Sequence, residues 1–176
     1  MKDTYGDVSV KKLDGHIIEC EIRRPPNNFF DIALINDLSD CFEDLDQDQD
    51  VRSIVLCSEG KHFCAGANFG SSDRAAELEK RTDNDRNQLY DQAVRLFRCK
   101  KPVVAAIQGA AVGGGFGLAL MADFRVVCPS TRMTANFVKL GFTPGFGLTH
   151  TLPRLVGVQK ANLLFMTGRR INGETA

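Results

Sequence analysis

A run of three glycines set between a buried-strand pattern and an apolar helix pattern constrains this chain more than any other feature. It lies in KPVVAAIQGAAVGGGFGLALMADFRVV, residues 101–127. Without Cβ atoms, Gly113, Gly114 and Gly115 let backbone come close to another group. A helix starting there presents unpaired N–H groups and the positive end of its dipole. Such a terminus suits an anion or a developing oxyanion; the plainer alternative is that the glycines serve only close packing of helix on strand. Spacing excludes the commoner glycine-rich nucleotide sites. Position 118, where the dinucleotide fingerprint requires Gly or Ala, is Leu, and no Lys-Ser or Lys-Thr follows for a P-loop. The serine-hydrolase elbow G-x-S-x-G and the zinc-protease motif H-E-x-x-H are absent from the chain.

A second glycine-containing turn, GKHFCAGANFG, follows an apolar strand pattern and places the small residues Ala65, Gly66 and Ala67 around another bend. Two such turns facing each other can offer two backbone donors to one thioester carbonyl oxygen, each worth roughly 2.7–4 kcal/mol in a transition state. The rest of the chain supplies a frame. Residues 8–13 and 16–22 alternate around Asp14-Gly15, a hairpin signature. Arg23-Arg24-Pro25-Pro26-Asn27-Asn28 breaks that pattern, and Ile32, Leu34, Ile35, Leu38, Cys41, Phe42 and Leu45 then recur at helical spacing. Strands are expected over 51–57, 102–107 and 124–128, and a helix with Tyr90, Ala93, Val94 and Phe97 on its apolar face. Another helix should run from the glycines through 118–121, while 71–87 is polar enough for a loop or a solvated helix. This alternation predicts an α/β fold with helices packed on a largely parallel sheet.

Composition supports one domain over residues 1–176: 43% of side chains are apolar and 25% charged, enough for a single core. Lys plus Arg and Asp plus Glu balance at 22 each, which gives no electrostatic reason to expect nucleic acid or a membrane surface as partner. The opening MKDTYGDVSV lacks an apolar signal core, and apolar runs stop well short of the ~20 residues of a membrane span, so a cytoplasmic protein is expected. Six cysteines at irregular intervals, without a C-x-x-C pair or a His at zinc-ligand spacing, read as free thiols and no metal site.

Taken together, HFCAGANF, KPVVAAIQGAAVGGGFGLALMADFRV and LGFTPGFGLTHTLPRLVG resemble, in order and spacing, three linked signatures of the crotonase (enoyl-CoA hydratase/isomerase) superfamily. The resemblance runs from Val8 to Ala176. It implies a crotonase-like spiral of ββα units that binds an acyl-CoA thioester and stabilises an enolate through two peptide N–H groups, matching Ala67 and Gly114 here. It also implies coenzyme A thioester as substrate or ligand, no permanently bound cofactor, and self-association as trimer or hexamer. The matching CoA-lining positions are Asn27 and Phe29 in the first loop and Cys64, Ala65, Asn68 and Phe69 in the second. Gly113, Gly117, Phe137 and Phe142 are the remaining candidates for the acyl pocket, and Arg24 is either a CoA-phosphate contact or a solvated charge.

The chain also departs from that pattern. Where hydratases of the superfamily carry two Glu residues, this chain has Gly117 and Phe137, and where other branches carry an Asp it has Pro144-Gly145. Neither Gly nor Phe moves a proton, so two-carboxylate hydration is disfavoured. Phe137, Phe142 and Phe146 either pack as core or line a pocket for an apolar acyl group. His62 and His150 are the candidate proton carriers, Asp123 reads as a cap or a salt-bridge partner, and Cys64 is an outside candidate for a nucleophile. Family members continue past GRRINGETA into helices that close the pocket, so the C-terminal helical segment is expected to be truncated here. Two functions stand open: an enzyme with a non-standard acid or base, and a catalytically silent acyl-CoA-binding or assembly protein.

Overall fold

The computed structural model describes residues 1–68 and 88–176. Its frame is a six-stranded sheet in the order β1-β2-β3-β4-β5-β7. These strands are β1 (Thr4–Tyr5), β2 (Val8–Leu13), β3 (Ile17–Ile22), β4 (Ser53–Ser58), β5 (Val103–Ile107) and β7 (Phe124–Val127). The first three pair antiparallel, and β3, β4, β5 and β7 run parallel. Parallel neighbours need long crossovers, and here these carry the helices α1 (Ile32–Gln47), α2 (Gln88–Leu96) and α3 (Gly114–Met121). A second sheet, β6 (Ala110–Val112), β8 (Arg132–Thr134) and β9 (Ile171–Asn172), stands beside the glycine run. The helices α4 (Leu148–Val156) and α5 (Val158–Thr167) follow a 3₁₀ turn over Asn136–Leu140.

Period-two burial builds the sheet core: Ile18, Cys20 and Ile22 of β3, Ile54 and Leu56 of β4, and Val103, Ala105 and Ile107 of β5 are all buried. Helix α1 covers this face with Leu34, Ile35, Leu38, Cys41, Phe42 and Leu45, the residues whose spacing predicts it. Asp31 starts that helix, its carboxylate accepting from Leu34 N at 2.9 Å. Asp123 does not cap the helix it follows: its Oδ2 accepts from Val103 N at 2.8 Å and ties the start of β5 to the segment after α3. All six cysteines are free thiols. Among the described residues no helix is long and apolar enough to cross a membrane, and no cluster of His, Cys, Asp and Glu could hold a metal.

Three local expectations change. The hairpin turn takes three residues, because Leu13 pairs with Ile17 and His16 adopts a left-handed φ of 65°. Residues 110–112 form β6, paired parallel with β8, before the helix begins at Gly114. Helix α2 buries Leu89, Ala93 and Leu96, leaving Tyr90, Val94 and Phe97 on its more exposed side. A two-sided apolar helix does not say which side packs inward, here against α1. The expectation for residues 71–87 lies outside the described residues.

Candidate active site

Two loops are sewn together before any pocket exists. Asn28, fully buried with a φ of 47°, donates from Nδ2 to the carbonyls of Glu59 and His62 at 2.8 and 2.6 Å. Its Oδ1 accepts from Arg24 N at 2.9 Å. Next to it, Ala65 N donates to the Asn27 carbonyl at 2.9 Å, and Phe30 N to the Gly66 carbonyl at 3.0 Å. Phe30 and Ala67 form a parallel bridge. In that pairing, with Phe30 N taking the Gly66 carbonyl, Ala67's own N–H turns away from Phe30.

The second loop then meets the glycine run. Cys64 bridges Ala111, its N–H donating to the Ala110 carbonyl at 3.0 Å and its carbonyl accepting from Val112 N at 3.0 Å. Gly66, at φ +85°, passes so close that a Cβ there would stand 2.7 Å from the Val112 carbonyl oxygen and 3.8 Å from Gly114 N. A Cβ at Gly114 would enter the Phe30 ring, and one at Gly115 would enter the Cys64 carbonyl. The glycines therefore let the two turns and the Phe30 ring pack closely. Among the described residues, neither the Ala67 N–H nor the Gly114 N–H has a hydrogen-bond partner.

Between these loops lies a cavity of about 210 Å³, lined in part by Ala65, Gly66, Ala67, Gly113, Gly114 and Phe137, with Phe30, Leu89, Val112 and Leu140 adding to its apolar wall. That is below the ~300–1,000 Å³ of sites for drug-sized ligands. Its polar side chains are Asn136 and Tyr90, and Tyr90 is the one ionisable group among the described lining residues.

Other residues singled out in the sequence fall elsewhere. Asn27 and Cys64 hold the loops through backbone. Phe29 is half-buried beside the lining residue Phe30, Asn68 is exposed just past Ala67, and Phe69 lies outside the described residues. Gly117 is buried against Phe146, whose Cβ would be 2.7 Å from a Cβ at that position. Phe142 is 46% exposed and off the cavity wall. The three phenylalanines thus divide: Phe137 lines the cavity, and Phe146 is core, its ring tilted against those of Phe30 and Phe97 with centroids 5.4 and 6.3 Å away.

Neither histidine reaches the cavity. His62 Nδ1 accepts from Ala110 N at 3.1 Å, and His150 sits on the exposed side of α4 with Nδ1 3.0 Å from Arg154. Burial pushes the Cys64 thiol up to about 12, which keeps it protonated and un-nucleophilic. Arg24 is engaged by Asp7 and by Asp31, the latter at 2.8 Å. Sequence reasoning missed Phe30, Asn136 and Tyr90. Phe30 is one residue from the position chosen, Asn136 precedes Phe137 in a 3₁₀ turn without a sequence signature, and Tyr90 reads from spacing as an apolar helix residue.

The family model described as enoyl-CoA hydratase/isomerase matches residues 12–176, and the chain belongs to this family. It is 33% identical over 171 residues to a "probable enoyl-CoA hydratase" of Bacillus subtilis, covering 93% of this chain and 63% of that protein. It is 31% identical over 172 residues to the bacillaene synthase decarboxylase PksI of the same species, covering 97% of this chain and 67% of the other. The crystal structure of enoyl-CoA hydratase from Bacillus anthracis superposes with a TM-score of 0.84 at 30% identity, over 97% of this chain and 66% of that one. The crotonase-like α/β fold is thus shared, and this chain spans less than two thirds of the length of the first of these relatives.

Proposed function

We propose that this chain binds an acyl-CoA thioester and stabilises an enolate of its acyl group through the N–H groups of Ala67 and Gly114. What supports this reading is that Ala67 and Gly114, whose N–H groups have no internal acceptor among the described residues, both line one small, largely apolar cavity. In such a setting hydrogen bonds to a developing oxyanion are strong, because water that would compete is excluded. Coenzyme A thioester is the ligand, and no permanently bound cofactor enters the chemistry.

Two-carboxylate hydration fits poorly, since no Asp or Glu lines the cavity among the described residues. Loss of CO2 from a substrate that carries its own carboxylate would reach the same enolate without a protein base, and the likeness to the decarboxylase PksI favours this as a second reading. Trimer or hexamer formation in the cytoplasm completes the proposal, supported by the exposed Val158 and Met166 on α5, which offer apolar surface for self-association.

Calorimetric titration with a panel of acyl-CoA thioesters, free CoA as control, and mass spectrometry of each mixture tests it. Binding with turnover is the expected outcome and identifies the reaction. Binding without product would leave a silent acyl-CoA receptor, and absence of binding would overturn the proposal.

A further inference from the structure

An amide stands in the wall of the cavity with nothing in the chain to bond to. Asn136 is half-buried, and its side chain has no hydrogen-bond partner among the described residues. The backbone around it fixes its place. Two residues earlier the Thr134 carbonyl accepts from Gly113 N at 2.9 Å, and the 3₁₀ turn that Asn136 opens is closed by Phe142 N donating to the Phe137 carbonyl at 3.0 Å. The amide oxygen lies against the glycine run, 3.2 Å from where a Cβ would stand on Gly113, the residue before the Gly114 donor. Tyr90, the other polar side chain of the wall, has its hydroxyl where a Cβ at Gly145 would be. The remaining lining residues are apolar or glycine, with no Lys, Arg, His, Asp or Glu among the described ones.

A hydrocarbon chain filling this cavity strips water from the amide without replacing the bond, and a buried polar group left unpaired carries the full cost of its desolvation. A ligand that matches the site therefore brings a hydrogen-bonding group of its own. That group is neutral, because a carboxylate or an ammonium would enter an apolar cavity without a countercharge. It donates, because the atom set against the glycine run is the amide oxygen, an acceptor. We infer that Asn136 is the specificity-determining residue of this cavity and selects an acyl thioester whose chain carries a hydroxyl close to the thioester over the plain chain of the same length. The inference rests on the proposed acyl-CoA site and names its substrate class. Sites that bond a substrate hydroxyl discriminate against the analogue lacking it far more strongly than apolar pockets discriminate by one methylene.

The test titrates the purified chain calorimetrically with butanoyl-CoA, 2-hydroxybutanoyl-CoA, 3-hydroxybutanoyl-CoA and malonyl-CoA, with free CoA as reference. One of the two hydroxylated thioesters is expected to bind roughly 5–150-fold more tightly than butanoyl-CoA, the factor that corresponds to one buried polar group paired or left unpaired. Asn136→Leu, which keeps the size of the side chain and removes the amide, is expected to reverse the order by tightening butanoyl-CoA and weakening the hydroxylated thioester, while free CoA binds as before. Asn136→Ala is the second variant and is expected to abolish the preference without reversing it. Loss of folding would weaken all ligands together and would not reverse an order of preference. Equal affinity of wild-type protein for plain and hydroxylated chains overturns the inference, as does a preference that survives in both variants. Malonyl-CoA binding more tightly than either hydroxylated thioester overturns the neutral-hydroxyl class. If no thioester binds more tightly than free CoA, the acyl-CoA site itself is overturned.

Discussion

Chemical character at single residues follows from what surrounds them, and the cysteines show it. Cys64 sits next to the two donor loops, yet burial raises its thiol to about 12. Hydrogen bonding to the hydroxyls of Ser130 and Thr131 lowers Cys128 to about 7. Alkylation with iodoacetamide near neutral pH should therefore modify Cys128 first and leave Cys64 untouched in the folded protein, as read by peptide mass mapping. Modification of Cys64 at a comparable rate would show that its loop opens. Both residues look alike in sequence, each a lone Cys after an apolar residue, Phe63 or Val127, and only packing separates them.

At the scale of elements, α3 is a short apolar helix with glycines at its start and Gly117 on its buried side. Sequence comparison alone marks position 117 as a lost acid, but the fold leaves no space there: a Cβ would approach the Phe146 carbonyl oxygen to 2.8 Å. Gly117→Glu should therefore yield no hydratase activity and should cost about 1–3 kcal/mol or more of stability through overpacking, measured by urea unfolding. Gain of hydratase activity at full stability would show that the turn carrying Phe146 yields.

Helix α1 responds instead to pH. Burial opposes ionisation of Asp31, but hydrogen bonds from Leu34 N and Arg24, with the charge of Arg24, outweigh it and hold the carboxyl below its usual range. A folded pKa below the unfolded one contributes stability that is present above the unfolded value and lost as pH falls through the folded one. Asp31→Ala should cost about 0.5–2 kcal/mol near neutral pH, as loss of an N-cap does, with the difference from wild type shrinking below roughly pH 4 in melts across pH.

Across the whole molecule, the site depends on Asn28, which joins the segment after β3 to the loop after β4 through two hydrogen bonds and accepts a third from Arg24 N within its own segment. Asn28→Ala leaves the Glu59 and His62 carbonyls without that buried partner, a loss of about 1–3 kcal/mol for each unpaired group. It should also weaken acyl-CoA binding at unchanged CoA affinity, because Ala65, Gly66 and Ala67 lose their seat. Denaturation and calorimetry on the same protein separate these effects; binding equal to wild type would mean that the backbone bonds at Asn27 and Phe30 suffice.

Much of this architecture was legible before any coordinates. Period-two and helical spacing located β2, β3, α1 and β5 because burial on one face imposes those periods on the chain itself. Paired glycine turns marked the two loops because the absence of a Cβ is visible in the letters, whereas Ala67 and Gly114 in particular were implied by the family resemblance. The short strands β6, β8 and β9 were not visible, since three-residue or shorter segments carry no period and exist only through their partners. Likewise the sequence could not say that Phe146 is core while Phe137 faces the cavity, or that the Tyr90 hydroxyl fills the space over Gly145. Those assignments depend on which residues distant in the chain arrive at the same place, and close packing of the two loops against the glycine run decided them.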